Sequence, residues 1–501
     1  VDVKINVKTT DITTVDADAA VVGLFEDGGK LSGAALSADR FTDGLVARLI
    51  RSGEFSGKHG STAIVHSSSS SGPRRILVVG LGEKREFNFV VARRASAAAI
   101  RRAREAGCAR VSSVILGEGT GRLDIAALAG DVVQGAVLGL YLFDKYRTER
   151  SDLPGVVKEI ILVTGDLNSA TAIRRGARQG ERLALNVALS RDLANTPGND
   201  LTPARFASIS AREGRRRGIT VSVFDKKRLE REGFGAFLSV SRGSANPPRM
   251  AVLDYRGGPG KPIVVVGKGV TFDSGGITLK PGAGMGEMKG DMAGAAAALG
   301  AVLTAADWKL KRRVIGVLPM AENMPSGTAS RPGDVVRLYN GLTIEIISTD
   351  AEGRMLLADA LAYAVRKYRP SVMVDIATLT GACKIALGSQ HAGLFTEHDD
   401  LARSLLDAGE RTGESVWQMP IGGSYGALLK SGVADLKHTG GRFGGACIAA
   451  TFLSRFVGKT RWAHLDIAGM ANVEKSNHPD VSKGMTGFGV RLVAEWIAAW
   501  K

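Results

Sequence analysis

Cysteine is scarce: Cys108, Cys383 and Cys447 are the only three in 501 residues. They stand far apart and form no CxxC spacing, which argues against a thiolate metal site and a disulfide framework and for a reducing cytoplasm. Their expected role is small buried packing residues. No uncharged apolar stretch reaches the roughly 18 residues of a membrane-spanning helix, so no membrane partner is expected. The first twenty residues alternate like a strand and carry acids, unlike a signal peptide. Histidine is sparse too: of seven, none falls inside the acid-rich motifs described below. His464 follows a Trp-Ala pair in an apolar run and reads as a hydrogen-bonded core residue rather than a ligand. No Ser-His-Asp or Cys-His order stands in a supporting motif, and Cys383 and Cys447 lack the context of a nucleophile. Val79-Gly80-Leu81-Gly82 has no GxGxxG continuation, since Glu83-Lys84-Arg85 follow; a tight turn is the reading, not a phosphate loop.

What remains is a globular composition, 44% apolar and 23% charged, on a chain long enough for two cores. The net charge of +16 admits affinity for nucleic acid or an anionic surface. It equally admits a generally basic surface, because the clusters at Arg101-Arg102, Arg174-Arg175 and Arg215–Arg217 carry no interleaved aromatics.

Strand and helix patterns alternate along the whole chain, as in α/β domains. In the first part, strands are predicted at Ala19–Phe25, Arg75–Val79, Val114–Leu116 and Ile160–Val163. Helices are predicted at Phe89–Ala106 and Ile125–Phe143, and one long helix at Ala170–Ala194. Thr202-Pro203 opens the next helix with a cap and a first-turn proline. Further strands are read at Thr220–Phe224, Met250–Tyr255, Pro262–Val266, Arg313–Leu318, Val372–Ile376 and Ala463–Ile467.

Acids concentrate where such strands end. Pro262–Val266 runs into Lys268, then Asp273-Ser274-Gly275-Gly276, then Lys280, and Asp291 heads an alanine-rich helix. A second apolar run, Leu342–Ile347, is read as a strand leaving a sheet at Ser348-Thr349-Asp350-Ala351-Glu352-Gly353-Arg354-Met355, where a helix begins. In open α/β sheets that edge binds ligands. From the octet alone, helix capping by Thr349 or Asp350 explains the acids equally well. With both segments together, Asp273, Asp291, Asp350 and Glu352 meet Lys268, Lys280 and Arg354. Four ionised carboxylates cannot converge unless cations offset them, and two divalent ions balance the charge. An oxygen-rich donor set without histidine admits zinc, manganese or magnesium.

These segments resemble the leucyl (cytosolic) aminopeptidase family, whose signature NTDAEGRL reads STDAEGRM here. The resemblance continues through GKGVTFDSGGITLKP (267–281), MKGDMAGAAA (288–297), DIATLTGA (375–382), ADLKHTGGRFGGA (434–446) and WAHLDIAG (462–469). It implies a smaller macro-like N-terminal α/β domain over 1–165 without peptidase chemistry and a linking helix over 166–195. The catalytic domain, 196–501, is expected to hold a central mixed sheet flanked by helices. It further implies a two-zinc site with one position exchangeable for manganese. Carried over by motif, Asp273 and Glu352 bridge both ions, Asp350 completes the looser site, and Lys268 and Asp291 the tighter. A lysine ligand must be neutral; on spacing alone, a salt bridge from Lys268 to one of the acids is the simpler reading. Lys280 is implied as the electrophile and Arg354 as the holder of a bicarbonate proton shuttle. Arg354 otherwise reads as a helix-surface arginine paired with Glu352, and Lys280 as a solvated loop lysine.

Met288, Thr378, Leu379 and Gly381 match the substrate pocket; otherwise they are loop packing and a strand end. Ser348, in place of asparagine, bears on the outer specificity pocket, whereas Met355 for leucine conserves volume. The implied activity is a cytoplasmic, metal-dependent removal of N-terminal leucine and other neutral residues from peptides by a homohexamer. The alternative is a DNA-binding or regulatory protein, known for some bacterial members, with peptidase activity secondary. The metal reading stands only if Asp273 and Asp350 meet; a separation beyond about 12 Å exceeds any coordination reach.

Overall fold

The computed structural model describes residues 2–149, 154–475 and 478–501. The chain divides into two compact units, residues 1–188 with 475–483, and residues 189–474 with 484–501. The division falls inside one helix, Ala170–Asn195.

The first unit holds a six-stranded sheet: β1 (Lys4–Thr9), β2 (Ala19–Leu24), β3 (Thr62–His66), β4 (Arg75–Gly80), β5 (Arg110–Val114) and β6 (Glu159–Thr164). Their order is β1-β6-β5-β2-β4-β3, parallel except for β3 at the edge. Helices α1 (Gly33–Phe41) and α2 (Leu45–Arg51) cover the face carrying Ala20, Val22, Ile76 and Val78. The alternate residues Val21, Leu77 and Val79 are buried as well, so both faces are covered, as a parallel sheet requires. Next come α3 (Phe89–Glu105), α4 (Ile125–Gly139) and α5 (Ala170–Asn195). Two predicted boundaries need correction. The strand expected at Val114–Leu116 is Arg110–Val114, whose Ser112 and Ser113 are buried, so an apolar run is a poor guide there. The helix expected to reach Phe143 stops at Gly139.

The second unit opens with α6 (Pro203–Arg215), capped by the Thr202 side chain. It is built on a nine-stranded mixed sheet. Its strands are β7 (Thr220–Phe224), β8 (Arg249–Arg256), β9 (Ile263–Gly267), β10 (Gly269–Asp273) and β11 (Arg313–Asn323). The small strands β12 (Val335–Arg337) and β13 (Thr343–Glu345) lie in a separate three-stranded sheet. The large sheet resumes with β14 (Val372–Ala377), β15 (Ala392–Phe395) and β16 (Val416–Gln418). After β17 (Leu436–Lys437), which pairs with β13, comes β18 (Arg461–Asp466). The order is β16-β15-β18-β14-β9-β11-β8-β7, with β10 continuing beside β11. The central strands β18, β14, β9 and β11 are parallel, so their carboxyl ends share one edge.

Short helices α7 (Lys226–Glu232) and α8 (Gly235–Ser241) precede β8. Helix α9 (Ala293–Asp307) presents alanines, all buried at 295–298. Helix α10 (Glu352–Tyr368) buries Leu356, Leu357, Ala360 and Leu361 in the cluster that includes Val264, Val266, Ile315 and Val317. The central strands β9, β11 and β14 are buried almost throughout, as coverage on both faces requires, whereas the edge strands β7 and β16 are largely exposed.

Two features of the site's scaffold go beyond the local pattern. The strand read at Leu342–Ile347 is β13, and the sheet it leaves is the small one, where among the described residues it pairs with β12 and β17. Beyond Lys268 the chain forms a further strand, β10 (Gly269–Asp273), which pairs with the extended end of β11. Among the described residues no helix is long and apolar enough to cross a membrane.

Candidate metal centre

The parallel strands deliver the site at their common edge. Lys268 breaks the chain between β9 and β10, Asp273 ends β10, Asn323 ends β11, and Thr378 follows β14. Asp291 stands just before α9, whose first-turn amide of Ala295 donates to the Lys268 carbonyl at 2.8 Å. Asp350 and Glu352 flank the N-cap of α10. Neither Thr349 nor Asp350 caps that helix: the N-cap is Ala351, with no side-chain bond. Thr349 is committed elsewhere, donating its hydroxyl to the Gly275 carbonyl at 2.7 Å and accepting from the Thr278 amide at 2.8 Å. Gly275 and Gly276 both have positive φ, 87° and 66°, so this turn requires glycine.

The acids meet. One carboxylate oxygen from each of Asp273, Asp350 and Glu352 lies within 4.8 Å of the others. Lys268, only 2% exposed, places Nζ 2.8 and 2.7 Å from the two oxygens of Asp291 and 2.9 Å from Glu352 Oε1. It also donates to the Thr378 carbonyl at 2.9 Å. Lys280 Nζ lies 2.9 Å from Asp273 Oδ2 and contacts Asp350 Oδ1. The second oxygen of Asp273 accepts from the Gly275 amide at 2.9 Å and the Asn323 side-chain amide at 2.8 Å. Asn323 and Thr378 thus orient two acids, and Thr378 donates its hydroxyl to Asp291 at 2.7 Å.

Four acids and two lysines leave an excess of two negative charges in a largely buried cluster. Burial raises the carboxyls of Asp273 and Asp291, and Glu352 adds to both. Burial also raises Asp350, its neighbour Asp273 adding to the shift. Burial alone would lower Lys268 and Lys280, but the facing acids win and hold both as ammonium ions. The salt-bridge reading of Lys268 therefore describes this structure. The same arrangement suits divalent cations: oxygen donors plus one amine, no thiolate, and residual negative charge. Arg354 is buried, not on the helix surface. Its Nη1 donates to the His438 carbonyl at 2.9 Å, and its Nε has no partner among the described residues. Burial lowers it to about 10. A buried guanidinium with an unused donor fits a small planar anion.

Residues 188–494 match the catalytic domain of the cytosol aminopeptidase family, and residues 21–150 match that family's N-terminal domain. The chain belongs to the cytosol aminopeptidase family. It is an aminopeptidase, 43% identical over 498 residues to a probable cytosol aminopeptidase of Geobacter sulfurreducens, covering 99% of each chain. A second relative, from Methylobacillus flagellatus, is 43% identical with 96% of each chain covered. Among solved structures, a mutant of tomato leucine aminopeptidase aligns with a TM-score of 0.88 at 32% identity, covering 99% of this chain and 96% of that one. The bottromycin maturation enzyme BotP, solved in complex with Mn, aligns at 0.85 and 37%, covering 96% and 99%.

The other residues expected from the aminopeptidase resemblance are placed unevenly. Thr378 touches the acid cluster as above. The Leu379 amide donates to Asp466 at 3.1 Å, and its side chain packs on the large core. Gly381 opens the short helix Gly381–Leu387, and Met288 is half-buried in the turn Met285–Gly290. His464 is fully buried and bonded to Asp375 at 2.6 Å, as expected of a core histidine.

His438 has a role that its sequence context did not disclose. Its Nδ1 accepts from the Ile347 amide at 3.2 Å, and its Nε2 lies 2.8 Å from the Ser348 carbonyl. It thereby ties the Ile347-Ser348 backbone, just upstream of Asp350 and Glu352, while its own carbonyl holds Arg354. Burial, with Arg354 nearby, lowers His438 from 6.5 to about 4. The unfolded chain therefore takes up the proton first, and stability falls as pH drops from 6.5 towards 4. At about pH 5 this residue's expected cost is about 2 kcal/mol relative to neutral pH. Urea unfolding at the two pH values reads it. His438→Gln should lose that part of the slope, and an unchanged slope refutes the assignment.

Proposed function

We propose that this chain hydrolyses the first peptide bond of peptides, favouring leucine and other neutral residues. Lys268, Asp273, Asp291, Asp350 and Glu352 would hold two divalent ions, zinc or manganese. The observation that carries this reading is the gathering of Asp273, Asp350 and Glu352 within 4.8 Å, with Lys268 and Lys280 bonded among them. When bound, such ions polarise a carbonyl, lower the pKa of a water, and accept a free α-amine.

The protein's own groups supply the rest. As a ligand Lys268 would have to be the neutral amine and give up its proton, so tight metal binding would be favoured as pH rises. Lys280, held between Asp273 and Asp350, points a fixed positive charge at the site and stabilises an oxyanion growing on the substrate carbonyl. Arg354 would hold a bicarbonate ion through its unused Nε, and such an ion would supply proton transfer there. Asn323 and Thr378 hold Asp273 and Asp291 in orientation, so no reorganisation is needed at reaction. Met288, Thr378, Leu379 and Gly381 form the wall that selects the N-terminal side chain. By the same resemblance the active form is a cytoplasmic homohexamer. The cationic excess of the chain plays no part in this reading.

The decisive experiment is hydrolysis of a panel of aminoacyl anilides by chelated protein, with zinc, manganese or magnesium restored singly. Activity should vanish on chelation, return with zinc or manganese, and be highest on leucine. Full activity after complete chelation would end the metal reading.

A further inference from the structure

The first unit contains a cavity of about 1060 Å³, lined wholly by its own residues. It runs along the carboxyl ends of all five parallel strands. Thr9, Leu24, Leu81, Val114 and Val163 line it at or just beyond the ends of β1, β2, β4, β5 and β6. From β2 the chain proceeds to β4 on one side, then crosses to β5 on the other. That reversal opens a crevice above the sheet, and in open α/β sheets ligands occupy it. Nothing in the aminopeptidase chemistry uses this cavity.

Its chemistry is polarised. Beyond β2 and β4 it is lined by the loop Asp27-Gly28-Gly29-Lys30, by Lys84, and by the first residues of α1. The N-cap of α1, Ser32, makes no side-chain bond to the helix. Beyond β5, Glu118 faces the same space, and among the described residues its carboxylate accepts the Thr164 hydroxyl alone, at 3.2 Å. The other acids on the wall are accounted for. Asp11 accepts from Thr13, Asp27 from the Lys84 amide, and Asp166 from the amides of Asn168 and Ser169. Glu26 is exposed at the rim. Between the two ends lie Leu24, Phe55, Leu81 and Ile115, all buried. A lone anion would leave the Glu118 end and the apolar floor without a counterpart. The volume is that of a pocket for a ligand well beyond phosphate in size.

We propose that this crevice binds a nucleotide. Its phosphate lies at the Gly28-Gly29 loop between Lys30 and Lys84, its ribose hydroxyls donate to Glu118, and its base rests on the apolar floor. Lysine and helix-start amides suit the phosphate, and a carboxylate at a neighbouring strand end suits vicinal hydroxyls.

Calorimetric titration of the full chain tests this, with ADP and UDP as purine and pyrimidine probes, and adenosine and inorganic phosphate as fragments. One ADP or UDP per chain is expected to bind with a Kd below about 1 mM. Lys84→Glu is expected to weaken it at least about tenfold, with Lys30→Glu as the second variant of the same end. Glu118→Ala should weaken adenosine and ADP but leave inorganic phosphate unchanged. All three variants should keep full leucine-anilide hydrolysis, which separates this site from the peptidase reading. No heat with either diphosphate, phosphate binding as tightly as ADP, or binding indifferent to all three variants overturns the proposal.

Discussion

Asp273→Ala is expected to lower kcat/KM on leucine anilide by at least about 10³-fold, a loss of about 4 kcal/mol of transition-state stabilisation. The size follows from what this one side chain holds. One oxygen anchors the Gly275 amide and Asn323, and the other faces Lys280. It also lies in the triangle with Asp350 and Glu352. Its removal takes away a proposed bridging ligand and releases the electrophilic lysine together. Stability should respond in the opposite sense. The cluster carries four acids against two lysines, and burial together with Glu352 raises the Asp273 carboxyl. Ionised Asp273 therefore costs the metal-free fold stability at neutral pH, since a raised folded pKa makes stability fall as pH rises above the ordinary carboxylate range. The metal-free variant should melt no lower than metal-free wild type, while the stabilisation that wild type gains from zinc or manganese should largely vanish. Melting curves with and without metal, alongside metal content and kinetics, give the three readings. A variant that keeps its metal and stays within tenfold of wild-type activity would sink the assignment of Asp273.

The acids were legible in the sequence because they sit where apolar runs stop. Lys268, Asp273 and Asp291 follow or precede elements whose periodicity is plain, and the motif resemblance supplied their grouping. The sheet partners were not legible. A six-residue run such as Leu342–Ile347 says that a strand is present but not which strand it pairs with, and here it joins a small separate sheet. The break at Lys268 hid a second strand, because Gly267-Lys268-Gly269 looks like a turn, although β11 is long enough to pair on both sides of it. The positioning roles of Asn323, Thr349 and His438 are hidden from the sequence for a common reason. Their part is to hold other site residues through hydrogen bonds across more than seventy positions or between sheet ends, and no local spacing encodes such a contact.

Gly353 is the other residue whose role needed coordinates, and Gly353→Ala should lower kcat/KM by about 10²-fold, the usual penalty for displacing a reacting-centre group by about 1 Å. A Cβ at this position would stand 2.5 Å from Lys268 Cε and 2.8 Å from its Nζ. The obstruction is a side chain, so the helix can stay and the lysine must give way. Lys268 has little room to do so: it is fixed by both oxygens of Asp291, by Glu352 and by the Thr378 carbonyl at 2.7–2.9 Å. Moving it breaks bonds that set the proposed tighter metal position. Fold stability should fall as well, since breaking buried ion pairs costs about 3 kcal/mol or more; the gain of up to about 1 kcal/mol from alanine in the first turn of α10, whose backbone is ordinary helix, offsets only part of it. The signature is therefore a sharp fall in activity together with a lower melting temperature, both carried by the displaced lysine. The double variant Lys268→Ala with Gly353→Ala should be no worse than Lys268→Ala alone, since the clash has nothing left to displace. Additive losses in that cycle would show that Gly353 acts through something other than the lysine.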